Sequence, residues 1–431
     1  MKNFNKEQKD ELRRQYELLT KKSLREREYD SSDYSERDDF HRDYTRILYS
    51  SSFRRLQGKM QILGIEGTAF FRNRLTHSLE VAQIAHSIAT NIGKLFENDD
   101  LKIYQNDLYV IDAAALAHDI GHPAFGHKGE RVLDTLAKEI GKRFEGNAQN
   151  YRVLRSLEKK EPKIRGLNLT NRTLMAINKY LIKEDPNVEK FMYSPDYDYL
   201  TDVRSRVHLE RTRTLDAQII EVADDIAYSV HDLEDALALR YFSIDELLYI
   251  IKYKDTNSYE KLNVFVNVAR EYAFKTVSLI TIQDYSQVFR KSLISNLTHQ
   301  FINDVTMAHV KDKVADEHGT DYAQMELQLD EYKNLCKLLS KTIYECVMRD
   351  PIISLYEKKG EIVLKGLYNI YSNEKINEDG KLLPPDYRPR EEEKYTLEMG
   401  TIDYLAGMMD TFAISKYKEL CGTSFDEISL L

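Results

Sequence analysis

The run Leu116-Ala117-His118-Asp119-Ile120-Gly121-His122-Pro123-Ala124-Phe125-Gly126-His127-Lys128-Gly129-Glu130 sets the reading of the whole chain. An apolar segment, Leu108 to Ala117, leads into it without glycine or proline and predicts a buried helix. Gly121 and Pro123 should end or bend that helix just after His118-Asp119. Three histidines and two carboxylates then fall within the thirteen positions from His118 to Glu130. Neutral imidazole and carboxylate are both metal ligands, and imidazole also titrates near neutral pH. Neighbours on a regular helix point about 100° apart. A helix end or bend is therefore a way for His118 and Asp119 to reach one ion.

Working outward, the 431 residues contain only 8 prolines and 17 glycines, with 29 tyrosines and no tryptophan. Scarce breakers and long three-four periodic runs predict a predominantly all-α fold. The length is enough for about two or three domains' worth of core. The expected organisation is a charged helical arm over residues 1–39, a helical core over 40–240, and a helical C-terminal region over 241–431 packed on that core. Glu361 to Tyr368 reads as a short strand or hairpin, and residues 373–394, rich in charge and proline, read as a loop or disordered stretch. Asp403 to Ala413 reads as a helical segment whose glycine permits close packing. No apolar run approaches the roughly 20 residues needed to cross a bilayer. Met1 to Arg27 lacks an apolar signal core, so a cytoplasmic protein is expected. Cys336, Cys346 and Cys421 lack metal-binding spacing and read as ordinary reduced thiols.

A formal charge of −9 argues against a general nucleic-acid coat. It leaves an anionic substrate open, because the Debye length is only about 8 Å at physiological salt and a few convergent cations dominate a cleft. Ser52-Phe53-Arg54-Arg55-Leu56-Gln57-Gly58-Lys59-Met60-Gln61 is one dense source of positive charge. Arg72-Asn73-Arg74-Leu75-Thr76-His77 opens the next helix and places His77 near its start. In the predicted helix from Asp216 to Leu239, Asp224, Tyr228 and Asp232 recur every four residues on one face. A polar row in an apolar helix needs a cation or donors opposite it, because buried carboxylates are otherwise costly.

His77, His118, Asp119 and Asp224 together form a ligand set for one divalent ion, with Asp225 as a rival for the fourth place. Two nitrogens and two carboxylates suit Mn, Fe, Co, Ni or Zn, with Mg also possible. Such a site polarises a phosphoryl oxygen and lowers the pKa of bound water. Arg54, Arg55, Lys59, Arg74 and His122 are candidates to neutralise phosphate. His127 with Glu130, one helical turn apart, is a candidate proton-transfer pair in which the carboxylate orients the imidazole.

The pattern His77…His118-Asp119…Asp224 resembles the HD phosphohydrolase superfamily. The surrounding phrases resemble its dGTPase-type deoxynucleoside triphosphate triphosphohydrolases: Ser52 to Leu56, Arg74 to Val81, Ala117 to Pro123, Phe125 to Glu130, Phe144 to Gln149, Gly166 to Thr170 and Ala223 to Tyr228. These phrases lie in order between about residues 40 and 240, and Asp403 to Ala413 resembles a further segment near the family's C-terminus. The resemblance implies a helical fold and hydrolysis of a dNTP, dGTP first among them, to deoxynucleoside and inorganic triphosphate by water attack at the α-phosphorus. It implies one divalent ion, Mn or Mg in function. His127 and Glu130 match the family's catalytic pair, and His122 and Arg74 match phosphate-contacting positions. Gln61, Tyr228 and Asp232 match positions near the sugar, where an aromatic ring at C2′ would disfavour a ribonucleotide. Asn147 and Gln149 lie in a matching phrase without an assigned role. The stretch Arg204-Ser205-Arg206-Val207-His208-Leu209-Glu210 matches no phrase, which leaves the base open. A homo-oligomer and control by a second nucleotide or single-stranded nucleic acid are further implications of the resemblance. Two rival functions are an HD-type 5′-deoxynucleotidase acting on dNMPs and a catalytically silent nucleotide-binding regulator. The long helical C-terminal half and the Phe125–Glu130 segment argue against the first, and the presence of every proposed catalytic side chain argues against the second.

Overall fold

The computed structural model describes residues 4–29, 37–61, 72–161, 164–209, 213–276, 281–309 and 325–421. Asp30 to Ser35, the segment following Gln61, and Glu210 lie outside the described residues. Seventeen α-helices are present among the described residues, with two small antiparallel strand pairs, so the fold is predominantly helical as the composition implied. The first ten helices are α1 (Lys6–Leu19), α2 (Asp39–Leu48), α3 (Ser51–Arg55), α4 (Arg74–Lys94), α5 (Leu108–Ala117), α6 (Gly126–Glu139), α7 (Gly146–Arg152), α8 (Asn171–Ile177), α9 (Ser194–Ser205) and α10 (Leu215–Ala238). They are followed by α11 (Ile244–Lys254), α12 (Thr256–Lys275), α13 (Ile282–Asn303), α14 (Lys333–Val347), α15 (Pro351–Tyr371), α16 (Leu397–Ala406) and α17 (Asp410–Cys421).

The apolar segment before His118 is α5, packed between α2 and α4 with α8 and α10 against it. Val110, Ile111 and Leu116 are at most 2% exposed. Burial of side chains this size contributes about 1.5–3 kcal/mol each. The helix stops at Ala117, with His118 as its C-cap residue. Gly121 comes next at a crossing where no side chain fits: a Cβ there would stand 2.3 Å from the Asn150 amide nitrogen of α7. Asn73 caps α4 in a reciprocal box with Thr76, fixing the helix start three residues before His77. Thr214 caps α10 by accepting the Ala217 amide.

The buried apolar residues fall into two clusters. The first runs from Phe4 to Ile353 and includes α4, α5, α10 and helices α11 to α14. The second is built from α6 and helices α15 to α17 and contains Ala124, Phe125, Leu133, Leu364 and Leu405. The N-terminal arm packs into the first cluster through Leu12, Tyr16 and Leu19, at 0%, 4% and 2% exposure. Its helix ends at Leu19 and gives way to a single 3₁₀ turn, Lys22–Leu24. Beneath it the buried Arg172 guanidinium joins Asp107 and Asp216, while the hydroxyls of Tyr16 and Tyr104 donate to the same two carboxylates.

Three expectations need correction. Glu361 to Tyr368 is neither strand nor hairpin but lies within α15. Ile362 and Val363 favour strands, yet Ile353, Tyr356, Gly360, Val363, Leu364 and Leu367 are buried at helical spacing against α6 and α17, and that packing overrides propensity. Strands do occur where helix was expected: β3 (Val305–His309) pairs antiparallel with β4 (Met325–Leu329), with Val305 opposite Leu329 and Met307 opposite Leu327. The other pair, β1 (Lys159–Glu161) and β2 (Ile164–Arg165), is shorter still. Asp403 to Ala413 is two helices rather than one, because α16 ends at Ala406 and α17 begins at Asp410. Residues 373–394 form a loop of 3₁₀ turns closed on itself by Asn377, whose side chain donates to the Tyr371 carbonyl and accepts the Leu382 amide. No helix among the described residues is long and apolar enough to cross a membrane.

Candidate active site

Three helices converge on the histidines. His77 stands in the first turn of α4, His118 at the end of α5, and Asp224 midway along α10. His77 Nε2 lies 3.1 Å from Asp224 Oδ1, and His118 Nε2 lies 3.7 Å from the same oxygen. One ligand atom from each of the three lies within 4.8 Å of the others. His118 Nδ1 is 2.6 Å from the Ala115 carbonyl oxygen. A carbonyl can only accept, so Nδ1 carries the proton and Nε2 presents its lone pair. That Nε2 is buried and has no hydrogen-bond partner among the described residues. An orphaned buried acceptor costs about 1–3 kcal/mol, which a divalent cation would relieve. The donor set fits such an ion, with two imidazoles and a carboxylate suited to first-row metals.

Asp119 stands beside these three, with one oxygen toward the histidines and the other on Arg74. Its Oδ1 is 3.8 Å from His118 Nε2 and 3.0 Å from His122 Nδ1, while its Oδ2 accepts from Arg74 Nη1 at 2.6 Å. Burial pushes the Asp119 carboxyl up, but His122, Arg74 and His118 outweigh it and hold the group well below the usual range. Asp225 faces a different cavity, shared with Arg213, Lys333 and Cys336. Of the two candidate α10 carboxylates, Asp224 is the one brought to the histidines.

A cavity of about 270 Å³ opens over the three residues, and Arg74, Lys179 and Lys190 give it a cationic wall beside His122. Lys179 Nζ is 4.0 Å from Asp224 Oδ2; Lys190 Nζ is 2.7 Å from Glu145 Oε1 and 3.6 Å from Glu130 Oε1. Neither lysine was singled out from the sequence. Each is an isolated cation in a stretch without strong periodicity, and the local phrase Asn178-Lys179-Tyr180, all of which lines the cavity, was the one available cue. Gln61, Asn147 and Tyr228 also line it. Gln61 Oε1 is buried with no partner among the described residues, and Asn147 Nδ2 donates to Glu145 Oε1 at 2.7 Å.

The structure does not bring three of the predicted phosphate groups to this cavity. Arg54 is exposed on α3, away from the lining. Arg55 donates to Ser52 Oγ at 2.6 Å and lies 3.7 Å from Glu158, on the wall of a separate cavity. Lys59 is 2% exposed and spends its ammonium on the carbonyls of His122 and Ala406, at 2.6 and 2.9 Å. Arg55 and Lys59 instead border a small space shared with Gln149 of α7 and Asp403 and Ala406 of α16. Asp232 lies one turn beyond Tyr228 on α10, buried at 4% exposure and off the cavity wall. Its Oδ2 has no partner among the described residues, and burial pushes its carboxyl up to about 8.

His127 and Glu130 form the outer edge. His127 Nδ1 is 3.2 Å from Glu130 Oε2, and the His127 ring, more than half exposed, lines the cavity 6.2 Å from that of His122. Glu130 Oε1 accepts the Gly146 amide at 2.9 Å. Burial raises the Glu130 carboxyl, but His127, His122, Lys190 and the Gly146 N–H together bring it well below the ordinary range. A carboxylate that stays ionised and is itself fixed by backbone is suited to orienting an imidazole for proton transfer.

Comparison with known proteins agrees with this geometry. The sequence matches the HD domain over residues 74–229 and the phosphohydrolase-associated domain over residues 329–419. It is 40% identical to the deoxyguanosinetriphosphate triphosphohydrolase-like protein 2 of Vibrio cholerae, over 95% of this chain and 94% of that one. It is 31% identical to the protein of the same description from Deinococcus radiodurans, over 91% of this chain and 94% of the other. A deoxyguanosinetriphosphate triphosphohydrolase-like protein of Rickettsia bellii is likewise 31% identical, over the same shares of the two chains. The chain therefore belongs to the HD-superfamily phosphohydrolases, within the family of deoxynucleoside triphosphate triphosphohydrolases.

Proposed function

We propose that this protein hydrolyses deoxynucleoside triphosphates, dGTP first among them, to a deoxynucleoside and inorganic triphosphate. The observation that carries the reading is one cavity that combines a His77–His118–Asp224 ion set, a cationic wall and a His127–Glu130 pair at its edge. Its wall of Arg74, Lys179 and Lys190, with His122 beside them, suits a polyphosphate better than a single phosphate, which favours a dNTP over a dNMP. The dGTP preference rests on the relatives, which are described as deoxyguanosinetriphosphate triphosphohydrolase-like proteins.

Water attacks the α-phosphorus, the bond from phosphorus to the 5′-oxygen breaks, and the proton balance closes with a 5′-hydroxyl on the deoxynucleoside and triphosphate as the other product. His77, His118 and Asp224 would hold a divalent ion, Mn or Mg in function, with Asp119 completing the set; the bound ion supplies Lewis-acid polarisation at the phosphate. Arg74, His122, Lys179 and Lys190 bind the phosphate chain and offset its charge. His127 moves the proton at the reacting oxygen, with Glu130 holding the ring in orientation. Gln61 and Tyr228 meet the sugar, where the Tyr228 ring disfavours a 2′-hydroxyl, and Asp232 stands one turn behind Tyr228. Asn147 borders the same space.

The test is hydrolysis of the four dNTPs, singly and in pairs, with Mn and with Mg, together with product analysis. Inorganic triphosphate from dGTP with little turnover of GTP is expected. Orthophosphate release from dNMPs would replace this reading with a nucleotidase, and equal kcat/KM on GTP and dGTP would remove the proposed role of Tyr228. Activation by a second dNTP in the paired assays would report an effector site, and size measurement in solution would test the expected homo-oligomer.

A further inference from the structure

The segment Asp403 to Ala413 takes no direct part in the chemistry above, yet it reaches the cleft from behind. Asp410, the first residue of α17, is 4% exposed and accepts three hydrogen bonds. Its Oδ1 takes the Phe125 amide at 3.0 Å, and its Oδ2 takes the Met60 amide at 3.1 Å and the Tyr356 hydroxyl at 2.7 Å. An ionised carboxylate is acceptor-only with about four lone-pair positions, so all three donors are accommodated.

Both amides belong to segments that carry cleft residues. Met60 immediately precedes Gln61. Phe125 immediately precedes α6, which carries His127 in its first turn and Glu130 at the start of the next. Phe125 is also held in the left-handed region at φ 62°, a conformation that a bulky side chain keeps only when its surroundings impose it. Those surroundings come from α15. A Cβ on Gly360 would stand 2.5 Å from Phe125 Cγ, and the Tyr356 ring lies 5.7 Å from the Phe125 ring. Lys59 adds a second tie, joining the His122 carbonyl to that of Ala406 at the end of α16. Gly58 beside it lies so close to Met409 that a Cβ would stand 2.6 Å from the sulfur.

We propose that Asp410, with Lys59, is a positioning residue for the reaction: the C-terminal helices hold the Met60 and Phe125 amides and so set where Gln61 and the His127–Glu130 pair stand. The kinetic part of this proposal rests on the dNTP reading; the structural part does not.

The test uses the full-length protein loaded with Mn. Asp410→Asn turns an amide donor toward the Met60 or Phe125 N–H, Lys59→Met removes the second tie, and Leu262→Ala is a core substitution in α12, remote from the cleft. Per metal-loaded site, kcat should fall about a hundredfold in Asp410→Asn and about tenfold in Lys59→Met, the scale expected for a reacting group displaced by around an ångström. KM should change less than kcat in both, and Leu262→Ala should lose thermal stability while keeping the wild-type kcat. Wild-type kcat in folded Asp410→Asn, or an equal loss in Leu262→Ala, overturns the proposal. Should Asp410→Asn not fold, wild-type kcat in Lys59→Met does so. If the wild-type protein turns over no dNTP, the substrate reading has failed and hydrogen exchange decides. The Met60 and Phe125 amides must then exchange faster in the tie variants than in Leu262→Ala, and equal exchange overturns the proposal.

Discussion

The two sides of the cleft are built differently. His77, His118 and Asp224 ride on α4, α5 and α10, helices whose buried faces lie in the first apolar cluster. Each is locked by residues on either side of it in sequence, such as Val81 and Ile84 after His77 and Ala223 and Ile226 around Asp224. His127 and Glu130 stand near the start of α6, which belongs to the second cluster with α15, α16 and α17. The chain crosses between clusters within a few residues, since Ile120 packs in the first and Ala124 in the second. His122 sits at that crossing. On the proposed roles, the ion site is rigid through helix packing alone, whereas the acid–base pair near a helix start depends on what braces the helix from outside.

Removing a ligand should break the contrast most severely. Asp224→Ala should weaken metal binding by more than about a hundredfold, beyond the loss typical of an outer-sphere partner, and abolish turnover. Metal analysis and activity check this together, and a chelator should remove activity that added Mn restores. His127→Ala should do something separable, lowering kcat by about 10²- to 10⁴-fold, the range for a lost general acid or base, at unchanged metal stoichiometry. A metal loss in that variant would show that the two clusters do not divide the labour.

A core substitution sharpens the same point. Leu364→Ala, at a fully buried position of the second cluster, should cost about 2–5 kcal/mol in urea unfolding. It should lower kcat through α6 while leaving metal affinity in place. The smallest effect concerns pH. Because the folded-state pKa of Glu130 is depressed, its carboxylate adds stability above the ordinary carboxylate range, and that contribution is lost as pH falls below about 4. The stability gap between wild type and Glu130→Gln should therefore narrow on acidification. A gap that stays constant or widens would contradict the depressed value.

Much of this was legible because it repeats locally. Helices α4, α5 and α10 follow from uninterrupted apolar periodicity, and the stop after His118 follows from Gly121 and Pro123. What escaped was non-local. Strand β3 is five residues long, too short for its period to separate from a helix, and its pairing partner begins at Met325. Glu361 to Tyr368 holds β-branched residues whose helical state is imposed by neighbours on α6 and α17. Arg54 and Arg55 looked like phosphate ligands because charge density says nothing about direction. Lys179 and Lys190 were overlooked because a single lysine has no pattern.

The sequence by itself determined the helical class, the family phrases and which residue types were candidates for an ion, since each depends on spacing along one helix or loop. Only the tertiary structure decided that Asp224 and not Asp225 turns toward His77 and His118, and that Asp119 pairs with Arg74. It alone joined Asp410 to Met60 and Phe125 across more than two hundred residues. The physical reason is that a hydrogen bond or an ion site is satisfied by atoms near in space, and the packing of two cores, not local propensity, selects which distant atoms those are.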